Sequence, residues 1–271
     1  MTAFFHCPLP TAHCPPPTAI LPTAHCQLPM SIQEEFDRIA LVSPAGSVQN
    51  SHYHNFLLRH LGPKCEAALE IGCGKGEFSR RLAEKSEHVL ALDLSPEMIR
   101  IAREHSTHVS NIDFQISDVL RYDLPPEAFD CIATIATLHH LPLREVLLKM
   151  KAALKPGGVL LVLDLFKLER NLFKPAGIFD SLLLNSLAVP LSLSLRLIHQ
   201  HRLLPHREVR AAWTEHARHD IYPSMPEVRT LCAEILPGAK IRRHLLWRYS
   251  MVWVKQRGPC GDEVSTASAG A

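Results

Sequence analysis

The sequence predicts an α/β fold, organised as a doubly wound, mostly parallel sheet. Short apolar runs alternate with helical segments from Ala67 to Leu165, which is typical of repeated βαβ units. A glycine cluster follows the first of these runs, and Asp93 closes the second. Because a βαβ unit brings both strand ends to the same edge of a parallel sheet, we expect Asp93 to lie beside the glycines.

The glycine cluster lies in the stretch from Ala67 to Leu82, AALEIGCGKGEFSRRL, which predicts a buried strand, a tight turn and a helix start. Glycines allow a positive φ or let a ligand lie against the main chain, and a helix N-terminus suits an electron-rich ligand. A dinucleotide site requires G-x-G-x-x-G, whereas this chain has G-x-G-x-G. A P-loop requires Gly-Lys-Ser/Thr, but Gly76 follows Lys75.

The form E-x-G-x-G-x-G, which begins at Glu70, resembles motif I of the class I S-adenosylmethionine-dependent methyltransferases. Four later features match that family in order. They are Asp93, the loop Ser117-Asp118-Val119, the stretch ATLHHLP at 136–142, which is similar to the loop after strand four in the methyltransferase type 11 group, and LKPGG at 154–158. A carboxylate at Asp93 can accept bonds from both ribose hydroxyls of an adenosyl ligand. The same acid occurs in dinucleotide folds, so it indicates a nucleoside more firmly than a methionine.

The resemblance covers about 67–166 and implies S-adenosyl-L-methionine as the cofactor. The cofactor-binding residues that it implies are Glu70, Gly72, Gly74, Gly76, Asp93, Leu94, Asp118, Val119 and Thr134. It also implies a Rossmann-like methyltransferase fold with seven strands and an antiparallel last strand. The stretch from Lys167 to Pro226 is too long for a simple crossover and predicts a helical cap insertion. Strands are predicted over Lys240 to Leu246 and Tyr249 to Lys255, and the tight connection between them requires an antiparallel pair.

We divide the chain into six parts. They are a disordered proline-rich extension (1–29), N-terminal helices (30–63), the cofactor-binding core (64–166), a cap insertion (167–226), a C-terminal helix and β-hairpin of the core (227–255) and a disordered tail (256–271). The extension carries three His-Cys dipeptides, whose side chains can bind zinc, but they recur with a proline-rich repeat and lack a paired C-x-x-C, so we expect no metal. The cysteines elsewhere are predicted to be free, buried thiols in a reducing cytoplasm.

The cap insertion has a leucine-rich half, at 176–198, and a basic, histidine-rich half that includes His216 and His219. A spanning helix needs about 20 apolar residues, and Pro190 interrupts this run, so no transmembrane segment is expected. We interpret the first half as a buried or lid helix, with a lipophilic substrate channel or membrane-surface contact as the alternative. The second half is predicted to be a solvated helix face, because its charges are of both signs.

The expected function is a cytoplasmic enzyme that methylates a small molecule at O, N or C, and the leucine-rich cap favours an apolar one. Methyl transfer mostly requires positioning of the acceptor, and a base is needed only if the acceptor must lose a proton. His139 and His140 follow strand four and are the candidate catalytic residues. RNA methylation is disfavoured by a net charge of only +2, and a nucleoside-binding protein without catalysis is the remaining alternative.

Overall fold

The computed structural model describes residues 31–43, 48–167, 186, 190–191, 193–194, 197, 206–218, 220–245 and 247–257. Several predictions lie outside the described residues: the extension at 1–29, most of the leucine-rich half at 176–198, His219 and the tail from 258. The helices are α1 (Ile32–Val42), α2 (Val48–Leu58), α3 (Glu77–Ala83), α4 (Pro96–Glu104), α5 (Leu143–Ala153), α6 (Arg207–His216) and α7 (Met225–Ile235).

The strands are β1 (Ala67–Ile71), β2 (His88–Asp93), β3 (Ile112–Ile116), β4 (Phe129–Ile135), β5 (Leu154–Leu165), β6 (Lys240–His244) and β7 (Arg248–Val254). They form one seven-stranded sheet in the order β3-β2-β1-β4-β5-β7-β6. Strands β1 to β5 are parallel, whereas β7 runs antiparallel to both β5 and β6. The predicted mostly parallel sheet with an antiparallel last strand is therefore confirmed.

The sheet is covered on both faces, which explains why its central strands are almost wholly apolar. On one face α2 and α3 contribute Leu57 and Leu82 to a buried cluster, and on the other α5 and α7 contribute Leu147 and Val228. The strand order reverses between β1 and β4. Ligands of open α/β sheets bind at such a reversal, beyond the carboxyl ends of the strands.

Helix α1 lies against α4 and α6 through a small cluster that includes Ile39, Met98 and Ala212. Its start has the predicted capping box, because the Ser31 side chain accepts from the Glu34 backbone and the Glu34 carboxylate accepts in return. This packing places part of the cap insertion beside the N-terminal helix.

Helix α6 exposes its charged residues, as predicted, while its opposite face is buried against α1. His216 departs from the prediction of a solvated face, because it is only 2% exposed. The described cysteines, Cys65, Cys73, Cys131 and Cys232, are free and buried, as predicted. None of the helices in the described part of the chain has the length and apolar content needed to cross a bilayer.

Candidate active site

The loop after β1 contains three glycines in the left-handed region, with φ of 71° at Gly72, 52° at Gly74 and 72° at Gly76. A Cβ added at Gly72 would lie 2.1 Å from the Thr137 hydroxyl oxygen, and one at Gly76 would lie 2.8 Å from the Phe114 ring. A Cβ at Gly74 would meet no described atom within 4 Å. Close packing therefore requires glycine at two of these positions, whereas Gly74 faces open space.

Asp93, at the end of β2, lies beside this open position, which confirms the predicted adjacency. Its Oδ2 accepts from the Gly74 backbone N–H at 2.8 Å, and its Oδ1 accepts from the Ser95 N–H at 2.9 Å. Burial raises the pKa of Asp93, and the two backbone donors oppose that rise. Each carboxylate oxygen has a second lone pair, so Asp93 shapes the loop and can still accept from the two hydroxyls of a ribose.

Glu70 and Thr134 lie beneath the loop rather than on its open side. Ser79 of α3 donates its hydroxyl to Glu70 Oε2 at 2.5 Å, and burial raises the pKa of Glu70 to about 8. Glu70 is therefore largely protonated at neutral pH in the ligand-free protein. Thr134 lies opposite Ile71 in the β1–β4 register, and its buried hydroxyl has no hydrogen-bond partner among the described residues.

The remaining predicted cofactor residues follow β2 and β3. Leu94 directly follows Asp93 and is half-buried. Asp118 accepts from the Leu120 backbone N–H at 2.9 Å, so it caps its own turn. The Val119 side chain is buried in the main core, so only its main chain is left for contact with a ligand.

A family model described as "Methyltransferase domain" matches residues 68–158. An uncharacterized methyltransferase of Mycobacterium tuberculosis (strain ATCC 25618 / H37Rv) is 28% identical over 210 residues, which is 75% of this chain and 94% of the relative. With the glycine loop and Asp93 in place, these matches decide the family. The chain is a class I S-adenosylmethionine-dependent methyltransferase.

Other known proteins are similar to this methyltransferase over shorter stretches or in fold. A ubiquinone biosynthesis O-methyltransferase of Xylella fastidiosa (strain 9a5c) is 39% identical over 99 residues, covering 35% of this chain and 39% of the relative. The N-methyltransferase NodS of Bradyrhizobium japonicum, solved with S-adenosylhomocysteine, has a TM-score of 0.55 at 16% identity, covering 83% of this chain and 98% of that one. A Haloferax volcanii putative methyltransferase, solved with the Trm112 activator, has a TM-score of 0.58 at 16% identity, covering 84% and 100%. The structural likeness shows the fold alone.

The enzyme's cofactor is S-adenosyl-L-methionine, and the loop geometry fits it. The open side of Gly74 lets a ligand approach the main chain, and Asp93 beside it offers acceptors to paired hydroxyls. The α3 N-terminus, which begins at Gly76, is directed at the same edge.

The predicted catalytic residue His139 lies in a short 3₁₀ helix (Leu138–His140) that follows β4. Its Nδ1 is 2.6 Å from Asp164 Oδ1, and the two side chains are 5% and 1% exposed. Asp164 also accepts from the Leu165 N–H, while its buried Oδ2 has no partner among the described residues. Because Asp164 holds the Nδ1–H of His139, the neutral ring presents Nε2 as an acceptor.

His140, the second predicted catalytic residue, lies in a cluster of polar side chains, and several of these come from the cap insertion. Its Nδ1 is 3.4 Å from Asp220 Oδ1, and Tyr222 donates its hydroxyl to Asp220 Oδ2 at 2.5 Å. His216 lies 2.8 Å from Glu35 through Nδ1 and 3.5 Å from Asp220 through Nε2. Burial is the largest cause that lowers the pKa of His140, to about 3, so this ring is neutral at physiological pH.

A cavity of about 480 Å³ adjoins His139. Its wall combines the rings of His139 and Tyr222 with apolar side chains that include Leu138, Leu141 and Ile221. A volume in this range suits a small-molecule ligand. The cavity therefore presents the His139 imidazole to a space whose wall has both apolar and polar side chains.

Sequence reasoning assigned no role to Asp164, Asp220, Tyr222 or Glu35, each of which contacts His139, His140 or His216. A signal existed for Asp164, because it lies near the carboxyl end of β5 and β5 is the parallel neighbour of β4. No local pattern pointed to Asp220 or Glu35, since their place depends on how the cap insertion and α1 pack.

Proposed function

We propose that this methyltransferase methylates a small molecule bound at the carboxyl ends of β4 and β5, with the acceptor atom against His139 and His140. The observation that supports this proposal is the cavity of about 480 Å³ with His139 in its wall. Its apolar side chains favour an acceptor with an apolar body. The similarity to a ubiquinone biosynthesis O-methyltransferase over 99 residues also favours a small acceptor.

For the cofactor, we propose that the backbone at Gly74 and the carboxylate of Asp93 make the direct contacts. Gly72, Gly76, Glu70 and Thr134 then keep the loop in shape from beneath. Three further residues would border the crevice beyond β2 and β3: Leu94, Asp118 and Val119. This division separates residues that contact the ligand from residues that support them.

The cofactor supplies an electrophilic methyl group on a positively charged sulfur. The chain's own contribution is to hold the acceptor in line and to exclude water. For an acceptor that carries a proton, Nε2 of His139 accepts it, because Asp164 fixes the opposite nitrogen as the donor. General-base catalysis of this kind contributes about 10²–10⁴ in rate. His140 packs on His139 at 3.9 Å between ring centroids and limits where the acceptor can lie.

The test uses the full chain with S-adenosylmethionine labelled in the methyl group, a panel of phenols, quinols and amines, and total RNA as the competing substrate. We expect label in a small molecule, and a fall of about 10²–10⁴ in kcat for His139→Gln if the acceptor is protic. His105→Gln is the matched control, because His105 is exposed and lies at the far end of α4. Label in RNA alone would refute the proposal.

Calorimetric titration with S-adenosylhomocysteine and with NAD accompanies this assay. The proposed contacts are supported if the wild type binds S-adenosylhomocysteine but not NAD, and if Asp93→Ala no longer binds S-adenosylhomocysteine. An Asp93→Ala variant that binds as the wild type does would refute them. Since the titration needs no acceptor, it tests the cofactor contacts separately from the choice of substrate.

A further inference from the structure

We infer that His139, His140 and Asp220 form a binding site for a divalent transition-metal ion. One potential ligand atom from each residue lies within 4.8 Å of the other two. The histidines come from the 3₁₀ helix after β4, whereas Asp220 comes from the segment after α6. The fold therefore brings together three metal-ligating groups from distant parts of the chain.

The distance from His140 to Asp220 is better suited to two ligands on one ion than to a hydrogen bond. His140 Nδ1 and Asp220 Oδ1 are 3.4 Å apart, whereas a charge-assisted hydrogen bond spans about 2.7–2.9 Å. Two ligands of a tetrahedral ion with bonds of about 2.0–2.1 Å lie roughly 3.3 Å apart. The His139 ligand atom lies within 4.8 Å of both, so it has to move closer to them to share the ion.

The neighbours of these residues orient them as outer-shell partners orient metal ligands. Asp164 holds Nδ1 of His139 at 2.6 Å and leaves Nε2 for an ion, which is the carboxylate–histidine–metal arrangement. Tyr222 donates to Oδ2 of Asp220 and leaves Oδ1 free of that bond. A nitrogen of His216 also lies 3.5 Å from this Oδ1.

The donor set indicates which ion would bind. Two imidazoles and one carboxylate suit Zn²⁺ and other first-row ions such as Fe²⁺, Co²⁺ and Ni²⁺, whereas Mg²⁺ and Ca²⁺ prefer a shell of oxygen atoms. Three protein ligands leave one tetrahedral position open, as in catalytic zinc sites. In that position the ion would lower the pKa of an acceptor hydroxyl, whose proton would pass to solvent instead of to His139, and this consequence rests on the proposed function. The binding of the ion itself does not.

The test is equilibrium dialysis of the untagged full chain against Co²⁺ or Zn²⁺, without cofactor or acceptor. The three His-Cys dipeptides of the extension can also bind these ions. All measurements are therefore made in a Cys7→Ser, Cys14→Ser, Cys26→Ser background, and the variants added to it are His139→Ala with His140→Ala, Asp220→Asn and Asp164→Asn. His105→Ala is the matched control, because it removes an exposed imidazole.

We expect the background protein to bind one more ion than the double histidine variant. Asp220→Asn should weaken binding at least tenfold, and Asp164→Asn, which acts through His139, by about 10–100-fold. Equal stoichiometry and affinity in the background protein and the double variant would overturn the proposal. If the double variant no longer binds S-adenosylhomocysteine and so has not folded, Asp220→Asn decides, and unchanged metal affinity there overturns the site.

Methyl transfer to the same acceptors separates the two proposals. Transfer by a protein that binds no ion would overturn the metal site and leave the proposed function intact. Metal binding that weakens in the variants as expected supports the metal site, whether or not any acceptor is methylated.

Discussion

Replacing Gly74 or Gly76 with alanine separates the role of the glycine loop in binding from its role in folding. Both positions have a positive φ, 52° and 72°, and a residue with a Cβ pays about 1–2 kcal/mol in the left-handed region. They differ in their surroundings, because a Cβ at Gly74 projects into open space and one at Gly76 projects into packed side chains. The two variants are therefore matched in backbone strain and unmatched in packing.

The Cβ at position 76 would lie 2.8 and 2.9 Å from two atoms of the Phe114 ring and 3.2 Å from the Ala102 Cβ. Overpacking of this kind adds about 1–3 kcal/mol. We expect Gly76→Ala to lower the free energy of unfolding by about 2–5 kcal/mol and Gly74→Ala by about 1–2 kcal/mol. For affinity the order reverses, because the Gly74→Ala methyl group occupies the space proposed for the cofactor, and we expect at least tenfold weaker binding, which is about 1.4 kcal/mol.

Urea denaturation of the ligand-free protein gives the two stabilities, and calorimetric titration with S-adenosylhomocysteine gives the two affinities. A Gly74→Ala variant that binds as tightly as the wild type would show that the ligand does not lie against Gly74. Equal losses of stability in the two variants would show that the contact with Phe114 relaxes without cost.

Three further predictions concern stability and reactivity. The ligand-free protein should lose up to about 5 kcal/mol of unfolding free energy as pH rises from about 4.5 to about 8. The reason is that the unfolded chain releases the Glu70 proton near pH 4.5, whereas the native protein holds it until about pH 8. Urea denaturation at several pH values checks this, and Glu70→Gln should remove this dependence of the unfolding free energy on pH. Leu147→Ala, in the fully buried core, should cost about 2–5 kcal/mol, whereas Arg144→Ala, which removes an exposed ion pair with Glu234, should leave the stability nearly unchanged; comparable losses in urea would contradict this contrast. Burial raises the pKa of the Cys131 thiol well above its ordinary value, so mass spectrometry should find it unlabelled by a thiol reagent at neutral pH until denaturant is added.

The features that could be predicted from the sequence are those whose partners are close along the chain or fixed by the βαβ topology. The Ser31 and Glu34 capping box is separated by three residues, and the contact between Gly74 and Asp93 follows from two parallel strands that share an edge. The contact between His216 and Glu35 spans 181 residues. Helical periodicity shows that α1 and α6 each bury a face, but it does not show which face meets which.

The buried groups around His140 are better explained by binding than by stability. Glu35 and His216 pair at 2.8 Å with side chains 5% and 3% exposed, and a buried pair of this kind often contributes no more than apolar residues of the same volume would. The free energy of desolvating the pair is explained if the pair orients His216, whose other nitrogen faces Asp220. A neutral His140 between buried carboxylates leaves a site that favours positive charge, and both the sulfonium of the cofactor and a divalent ion carry it. Glu35→Gln with His216→Gln, which nearly keeps the volume and removes the carboxylate and the imidazole, should therefore change unfolding free energy little while weakening Co²⁺ binding. A variant that unfolds instead would show that the pair serves the packing of α1 on α6.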